Sequence, residues 1–340
     1  MDALRGLAIL LVVAVHAGRE SSQQLVFTHV AQFGQYGVQL FFVMSAFTLC
    51  YTMRKVEVLT PRVYGAFMLR RFFRIAPMYY LAIPLYYGVF IPTSDYNWRN
   101  VLANITFLNG LYPPGNNNIV PGGWSIGCEF LFYFIFPIVF VAARKRRWIL
   151  AAAGALCAVS MVGFVVIARA TGYPYYSGNN SFPFFFVANQ APCFLLGMAY
   201  YFYSGHAVFR RCIYYASPPA LYGLILMHGT HYGWLATPLC AGLCAVSVAL
   251  FVQHRSAPAL MQRIGILSFS MYILHFYVVH LLRPFLGDPA SGLSALLFWG
   301  IIVVCSMGAA FLTHAFIESY FIDLGRRLTR LIKHGPPRSA

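Results

Sequence analysis

Two polar residues, Arg5 and His16, stand eleven positions apart in an otherwise apolar stretch near the start of the chain. An α-helix turns by about 100° per residue, so both side chains would share one face, about 16 Å apart along the axis. An arginine can bind an anion, and a neutral histidine can take a proton from a hydroxyl group. A snorkelling arginine with a core histidine is the structural alternative. We favour the functional interpretation, because an imidazole surrounded by lipid or apolar side chains needs a role or a partner.

A cluster of three arginines, Arg70, Arg71 and Arg74, follows further along the chain. Their spacing of three and four residues places the guanidinium groups on one side of the entry to a helix. Clustered arginines can hold the phosphates of a nucleotide-like molecule through paired hydrogen bonds. Anchoring at the basic side of a membrane explains the same residues equally well.

Glu129 is one of few acids inside an apolar run, in the segment 123–133. Ser125 lies one turn before it on the same helix face, next to Trp124. If this helix enters from the outer side, Glu129 lies about 8 Å below that end, in the same half of the membrane as His16. We therefore predict that Glu129 orients the imidazole or binds a substrate, with Ser125 and Trp124 as supports. The attraction of an acid to a helix N-terminus is the alternative.

A fourth polar group, Tyr272 and His275, lies mid-helix with a spacing of three residues. Both are candidates for site support, although core hydrogen bonding would also explain them, and it is the better explanation for His280. The eight cysteines form no CxxC pair and fall mostly in apolar runs. We expect them to be free thiols, and we expect no metal site.

The composition indicates which elements must position these residues. The chain has 340 residues, of which 60% are hydrophobic and only 9% are charged, whereas about a quarter of the residues of a soluble domain carry a charge. This excludes a soluble enzyme, a disordered tail and a secreted disulfide-rich module, and it predicts an all-α, polytopic membrane bundle. Ten apolar stretches are long enough to be candidate spans: 3–18, 34–53, 74–92, 124–143, 148–169, 183–203, 208–228, 232–252, 264–286 and 294–320.

The basic residues support one topology. With the amino terminus in the cytoplasm and ten alternating spans, 20 of the 24 lysine and arginine residues fall on the cytoplasmic side, as the positive-inside rule predicts. Both termini should then be cytoplasmic, and the excess of basic residues requires no nucleic-acid partner. The outer loop 93–123 is rich in Pro, Gly and Asn, which predicts an ordered loop over the outer mouth. Residues 326–340 form a short basic tail.

Several segments together resemble the membrane acyltransferase-3 family, the O-acyltransferase membrane domain of bacterial polysaccharide-modifying enzymes. Any one segment would be a weak match, but their order and spacing over the whole chain are specific. The similar segments are residues 2–8 with His16, 37–47, 71–77, 124–130 and 268–275.

The resemblance implies a ten-helix domain, residues 1–325, in the bacterial inner membrane. It would transfer an acyl group, usually acetyl, from cytoplasmic acyl-CoA to a hydroxyl of a saccharide or glycolipid, with no permanently bound cofactor. The family residues tied to activity correspond to Arg5, His16, Arg71 and Arg74. We assign catalysis to His16 and Glu129, and acyl-CoA binding to Arg5, Arg71 and Arg74 with a contribution from Arg70.

The chain departs from the family pattern at three places. Ala46 stands where the family usually has glycine, no proline follows in Glu318-Ser319-Tyr320, and the chain begins almost at the first motif. The corresponding expectations are a small change in helix packing, a weaker case for Glu318 and an incomplete amino terminus.

The hypothesis requires one passage that joins the arginine cluster to His16. Direct transfer to the acceptor and a relay through an acyl-histidine both fit the sequence. A transporter or flippase for a saccharide or anionic solute is the alternative, since buried His, Glu and Arg also suit a proton relay, although no internal repeat supports it. A membrane scaffold would leave the buried polar residues unexplained.

Overall fold

The computed structural model describes residues 1–18, 31–90, 97–170, 182–227, 233–253, 255–289 and 291–334. These ranges contain helices and turns and no β-strand, in agreement with the predicted all-α fold. All eight cysteines are free. The helices are α1 (Asp2–Gly18), α2 (Gly37–Met53), α3 (Pro61–Phe90), α4 (Trp98–Ile105), α5 (Gly123–Lys145), α6 (Trp148–Ala170), α7 (Val187–Tyr203), α8 (Ala207–Met227), α9 (Gly233–Val252), α10 (Ala259–Leu286), α11 (Gly292–Thr313) and α12 (Ser319–His334).

Five helical segments of the described chain are long and apolar enough to cross a membrane. A helix also occupies each of the ten apolar stretches identified in the sequence, but the count of ten spans and the position of the termini stay predictions. The five segments are Phe33–Met53, Gly123–Lys145, Phe182–Tyr203, Ala259–Leu286 and Gly292–Ile332.

Two helices begin earlier than expected. Helix α3 begins at Pro61 rather than at residue 74, so the arginine cluster lies inside the helix and not at its entry. Proline is favoured in the first turn of a helix, and arginine is a good helix former although it lowers the hydropathy. Helix α10 begins at Ala259 rather than at residue 264. Hydropathy identifies only the apolar part of a helix that suits the lipid. The helix itself can begin before that part, as both of these helices do.

The last predicted span, 294–320, is divided in the structure. Helix α11 ends at Thr313, and a π-helical turn, His314–Glu318, joins it to α12. Helix α12 extends to His334, so the basic tail predicted from residue 326 is helical as far as it is described. The boundary predicted between residues 325 and 326 therefore lies inside α12. Gly325 packs there against the side chain of Phe73.

Helices α1 and α10 pack closely, and this contact positions the polar residues of both. A Cβ atom added to Gly265 of α10 would lie 1.7 Å from the carbonyl oxygen of Asp2, and one added to Gly6 of α1 would lie 2.4 Å from that of Met261. Glycine is required here because the two backbones leave no space for a side chain. The crossing brings Arg5 and His16 alongside the segment of α10 that contains Tyr272 and His275.

The polar loop before α5 is ordered over its described part, residues 97–122, but it begins with helix α4, which the prediction did not include; residues 93–96 lie outside the described residues. Buried asparagines hold it by side-chain hydrogen bonds to the backbone. Asn109 donates to the carbonyls of Asn116 (3.2 Å) and Gly123 (3.0 Å). Asn104 donates to Gly115 (3.0 Å), and it accepts a bond of 2.6 Å from Tyr79.

Candidate active site

The arginine cavity is a space of about 80 Å³ between α1, α2, α3, α5 and α10. It contains three of the four arginines assigned from the sequence, together with Glu129 and several hydroxyl side chains. Arg70, which is partly buried on α3, does not line it. Its polar lining consists of Arg5, Arg71, Arg74, Glu129, Ser45, Thr48, Ser125, Ser268, Tyr133 and Tyr272.

Arg5 is held in the arginine cavity by contacts at both ends of its guanidinium group. One nitrogen bonds Asp2 at 3.2 Å, and the other donates to the hydroxyl of Thr48 at 3.0 Å. The Thr48 hydroxyl in turn lies 2.9 Å from the carbonyl oxygens of Met44 and Ser45 on its own helix. Arg5 is therefore fixed in direction before any substrate binds.

Arg71 has unused hydrogen-bonding capacity. Its Nε atom is buried and has no hydrogen-bond partner among the residues that the structure describes. The guanidinium carbon lies 5.5 Å from the ring centre of Phe67 and 5.9 Å from that of Tyr133, which are cation–π distances. A buried donor without a partner is costly, so this side chain is suited to an anionic ligand.

Glu129 receives two hydrogen bonds in the arginine cavity. The hydroxyls of Ser45 and Tyr133 each donate to the same carboxylate oxygen at 2.5 Å. The carboxylate also lies near enough to Arg5 and Arg71 for electrostatic interaction. The structure therefore groups Glu129 with the arginines, and its assigned action on His16 stays a prediction.

The histidine cavity is a larger space of about 380 Å³ that is lined by His16. Aromatic rings form much of its wall, and a few side chains with amide or hydroxyl groups project between them. The polar loop before α5 closes one side of it. The lining includes His16, Gln35, Tyr36, Asn117, Pro121, Gly122, Trp124, Phe184, Phe185, Thr237, Tyr272 and Phe276.

His16 packs against two rings of α10, with centroid distances of 4.1 Å to Phe276 and 5.2 Å to His275. His275 is fully buried, and its Nδ1 lies 2.8 Å from the carbonyl oxygen of Tyr272 and 3.2 Å from that of Met271. Because carbonyls only accept, Nδ1 carries the proton and Nε2 carries a lone pair. That Nε2 has no hydrogen-bond partner within the described ranges. His275 thus offers a buried acceptor beside His16.

Trp124 and Ser125 are adjacent in sequence but line different cavities. Trp124 stacks on Phe185 at 4.5 Å in the wall of the histidine cavity. Ser125 lines the arginine cavity and bonds the hydroxyl of Tyr272 at 2.8 Å. The start of α5 therefore contributes to both spaces.

The expected single passage is divided. Across the described residues, Arg5 and His16 line separate cavities, and these cavities share Val38 and Tyr272 as wall residues. Nothing in the residue pattern indicates this division. The spacing of Arg5 and His16 on one helix face gives their depths and directions, but it does not show which side chains lie between them.

Several site residues were not identified from the sequence. Ser45, Thr48 and Asn117 are polar residues of ordinary type, and nothing in the pattern distinguishes them. Tyr133 follows Glu129 by four residues, and this spacing predicts that the two side chains are neighbours on one helix face. Glu318, a weaker candidate from the sequence, lines neither of the two cavities; it is buried, accepts a bond of 2.9 Å from Ser270 and lies 3.1 Å from His314.

The acyltransferase-3 family profile, described as an acyltransferase domain, matches residues 1–315. The chain belongs to this family. Acyltransferase MdmB of Streptomyces mycarofaciens is 25% identical over 375 aligned positions, covering 96% of this chain and 92% of that protein. No solved structure matches the chain significantly.

Family membership makes this protein an acyltransferase, and the apolar helices make it a multi-pass membrane protein. An acyltransferase needs an acyl donor and an acceptor, and this chain offers two adjoining cavities of different chemical character. Transport or scaffolding is not needed to explain the buried polar residues.

Proposed function

We propose that this acyltransferase transfers an acetyl or other acyl group from cytoplasmic acyl-CoA to a hydroxyl of a cell-surface or lipid-linked saccharide. The protein would lie in a bacterial inner membrane with both termini in the cytoplasm. The observation that carries the proposal is the pair of adjoining cavities, one containing three arginines and the other His16. The three arginines would bind the charged part of the donor, and His16 would accept the proton. The two roles would therefore lie in different cavities.

The donor would enter from the arginine side. Arg71 has an unpaired Nε, Arg5 is fixed by its contacts, and Arg74 lines the same space. A cavity of about 80 Å³ is too small for a nucleotide, so the acyl thioester would enter it and the phosphates would bind the guanidinium groups of the lining arginines from its mouth. Arg70, which lies outside the cavity, is suited to that outer position.

The acceptor would occupy the histidine cavity. Aromatic side chains of this wall can pack against the apolar face of a sugar ring, and the side chains of Asn117, Gln35 and Thr237 can hydrogen-bond its hydroxyls. This combination of apolar walls with a few polar groups is typical of small-molecule sites. His16 would contact the reacting hydroxyl.

The reaction then needs one proton acceptor and one leaving group. Neutral His16 removes the proton from the acceptor hydroxyl as its oxygen bonds to the thioester carbonyl carbon. The carbon–sulfur bond breaks, and the CoA thiolate takes the proton from the imidazolium. The products are the ester and CoA thiol, so all atoms balance. A relay through an acyl-histidine uses the same two cavities with His16 as the nucleophile.

Two variants test the roles. His16→Ala should lower acyl transfer by about 10²–10⁴-fold, the usual contribution of a general base, with acetyl-CoA affinity retained. Arg71→Ala should weaken acetyl-CoA binding by about tenfold or more, the loss of one charged hydrogen bond. The matched controls are His280→Ala on α10 and Arg62→Ala on α3. Both positions are exposed, so the core position expected for His280 from the sequence is wrong.

The assay compares the mass of surface glycans from a deletion strain complemented with each variant, together with acetyl-CoA binding to purified protein. A fully active, normally inserted His16→Ala variant would remove His16 from catalysis. Unchanged acetyl-CoA affinity in Arg71→Ala would contradict the donor site. Identical glycan masses with and without the wild-type gene would contradict the saccharide acceptor.

A further inference from the structure

We infer that the side chain of Tyr272 is a closed barrier between the two cavities, which keeps water in the histidine cavity away from the acyl thioester until an acceptor binds. This inference rests on the proposed function for the identity of the substrates. The barrier itself rests on the geometry, because Tyr272 lines both cavities. The other shared residue, Val38, has no polar side-chain atom, so it cannot hydrogen-bond a water molecule that crosses between the cavities.

The hydroxyl of Tyr272 is anchored at its far end. It donates to the carbonyl oxygen of Gly122 at 3.0 Å and lies 2.8 Å from the hydroxyl of Ser125. Ser125 also lies 2.9 Å from the same carbonyl, so the three groups form one closed set of hydrogen bonds. The ring thus joins α10 to the loop and to the first turn of α5.

The backbone at Gly122 is shaped to receive this hydroxyl. Gly122 has φ of +80°, and a Cβ atom there would lie 2.6 Å from the Tyr272 oxygen. Only glycine combines this conformation with this close approach. Asn117 holds the same residue by accepting a hydrogen bond of 2.8 Å from the Gly122 amide. Since Asn117 and Gly122 both line the histidine cavity, an acceptor bound there would contact the anchor of the barrier.

Acyl transfer requires the acceptor oxygen to approach the thioester carbon to about 3–3.5 Å. The ring of Tyr272 occupies the wall between them, so it must rotate to another staggered χ1 position before transfer. Rotation breaks the hydrogen bonds to Gly122 and Ser125. The hydroxyls of a bound acceptor can replace those bonds, whereas a bare thioester has no such groups, so opening would follow acceptor binding.

The first test measures CoA thiol release from acetyl-CoA by purified protein in lipid nanodiscs without acceptor. Closed sites protect reactive intermediates from water, so Tyr272→Ala should release CoA about tenfold faster than wild type. Tyr272→Phe, which keeps the ring and loses the anchor, should lie between them. Tyr86→Phe is the matched control, because Tyr86 is buried and its hydroxyl bonds the Ile273 carbonyl of the same helix as Tyr272 at 2.6 Å. Equal release by wild type and Tyr272→Ala would contradict the barrier.

The second test needs no turnover. Ser268 lines the arginine cavity, so a Ser268→Cys substitution reports on that space by peptide-resolved labelling with a small charged thiol reagent. In right-side-out and inside-out vesicles, the introduced thiol should react from one side when Tyr272 is present and from both sides in the Tyr272→Ala background. Equal labelling from both sides with Tyr272 intact would overturn the barrier. Failure of acetyl-CoA binding in wild type would instead overturn the proposed function, and the labelling result would still decide the barrier.

Discussion

The contact between α1 and α10 yields the sharpest prediction, because one methyl group should disturb both cavities. In Gly265→Ala, the added Cβ would lie 1.7 Å from the Asp2 carbonyl oxygen, whereas ordinary contact begins at 3.4 Å. The helices must separate locally by about 1.7 Å, since the obstacle is backbone and cannot rotate away. Overpacking of this kind costs about 1–3 kcal/mol, while alanine returns only about 0.5–1 kcal/mol of helix stability.

The separation would occur one turn from Arg5, so the arginine cavity should change first. A misplacement of about 1 Å can cost about 10²-fold in rate, and we expect a loss of that order in acyl transfer. Gly308→Ala on α11 is the matched control, because nothing lies within 4 Å of its added Cβ. The control should unfold at the wild-type temperature or slightly higher.

Thermal unfolding of purified protein in detergent and glycan acylation in complemented cells measure both effects. The expected result is a lower unfolding temperature and lower acylation for Gly265→Ala, with Gly308→Ala at the wild-type acylation and at or slightly above the wild-type unfolding temperature. A Gly265→Ala protein with wild-type unfolding temperature and wild-type acylation would refute the close crossing and the positioning argument built on it.

Three further predictions concern single hydrogen-bonding groups. His275→Asn keeps a donor near the backbone carbonyls but removes the Nε2 hydrogen-bond acceptor, so acylation should fall while the unfolding temperature stays near wild type. His275→Gln, whose side-chain oxygen can replace Nε2 as the acceptor, should recover part of the activity. Tyr133→Phe removes one donor to the partly buried carboxylate of Glu129 and should destabilise by about 1.5–3 kcal/mol, measured by thermal unfolding against Tyr222→Phe at an exposed position. Asn109→Asp replaces the amide that donates to two carbonyls with a carboxylate that cannot donate, so acylation of the saccharide should fall in the acylation assay, whereas exposed Asn118→Asp should leave it unchanged. Equal effects of the two substitutions would contradict the role of the loop.

Most of the ionisable residues that line the two cavities could be selected from the sequence, because polar groups are costly in an apolar bundle. Arg5, His16, Arg71 and Glu129 all stand out for this reason, and each lines a cavity. Hydroxyl residues carry no such signal. Thr48 can satisfy itself within its own helix, as its bonds to nearby carbonyls show, so its contact with Arg5 could not be anticipated.

Lateral position was the second limit of prediction from the sequence. Counting residues from a helix end gives a depth, and it placed Glu129 in the same half of the membrane as His16. Which neighbour a side chain meets depends on how helices cross, and the glycine contact at Gly265 has no signature in hydropathy. The same limit explains why the division of the passage by Tyr272 was not foreseen.

The distribution of residues between helices and loops suggests where acceptor preference can change without loss of chemistry. His16, the proposed proton acceptor, lies on α1, and Tyr272, the proposed barrier, lies on α10; a close backbone contact at Gly265 sets the spacing of these two helices. Much of the remaining wall of the histidine cavity comes from other segments, including Asn117 of the loop, Phe184 and Thr237. Substitution in those segments can reshape the acceptor space while the distance from His16 to the arginine cavity stays fixed. Acceptor specificity should therefore be separable from turnover, because different contacts determine the two properties.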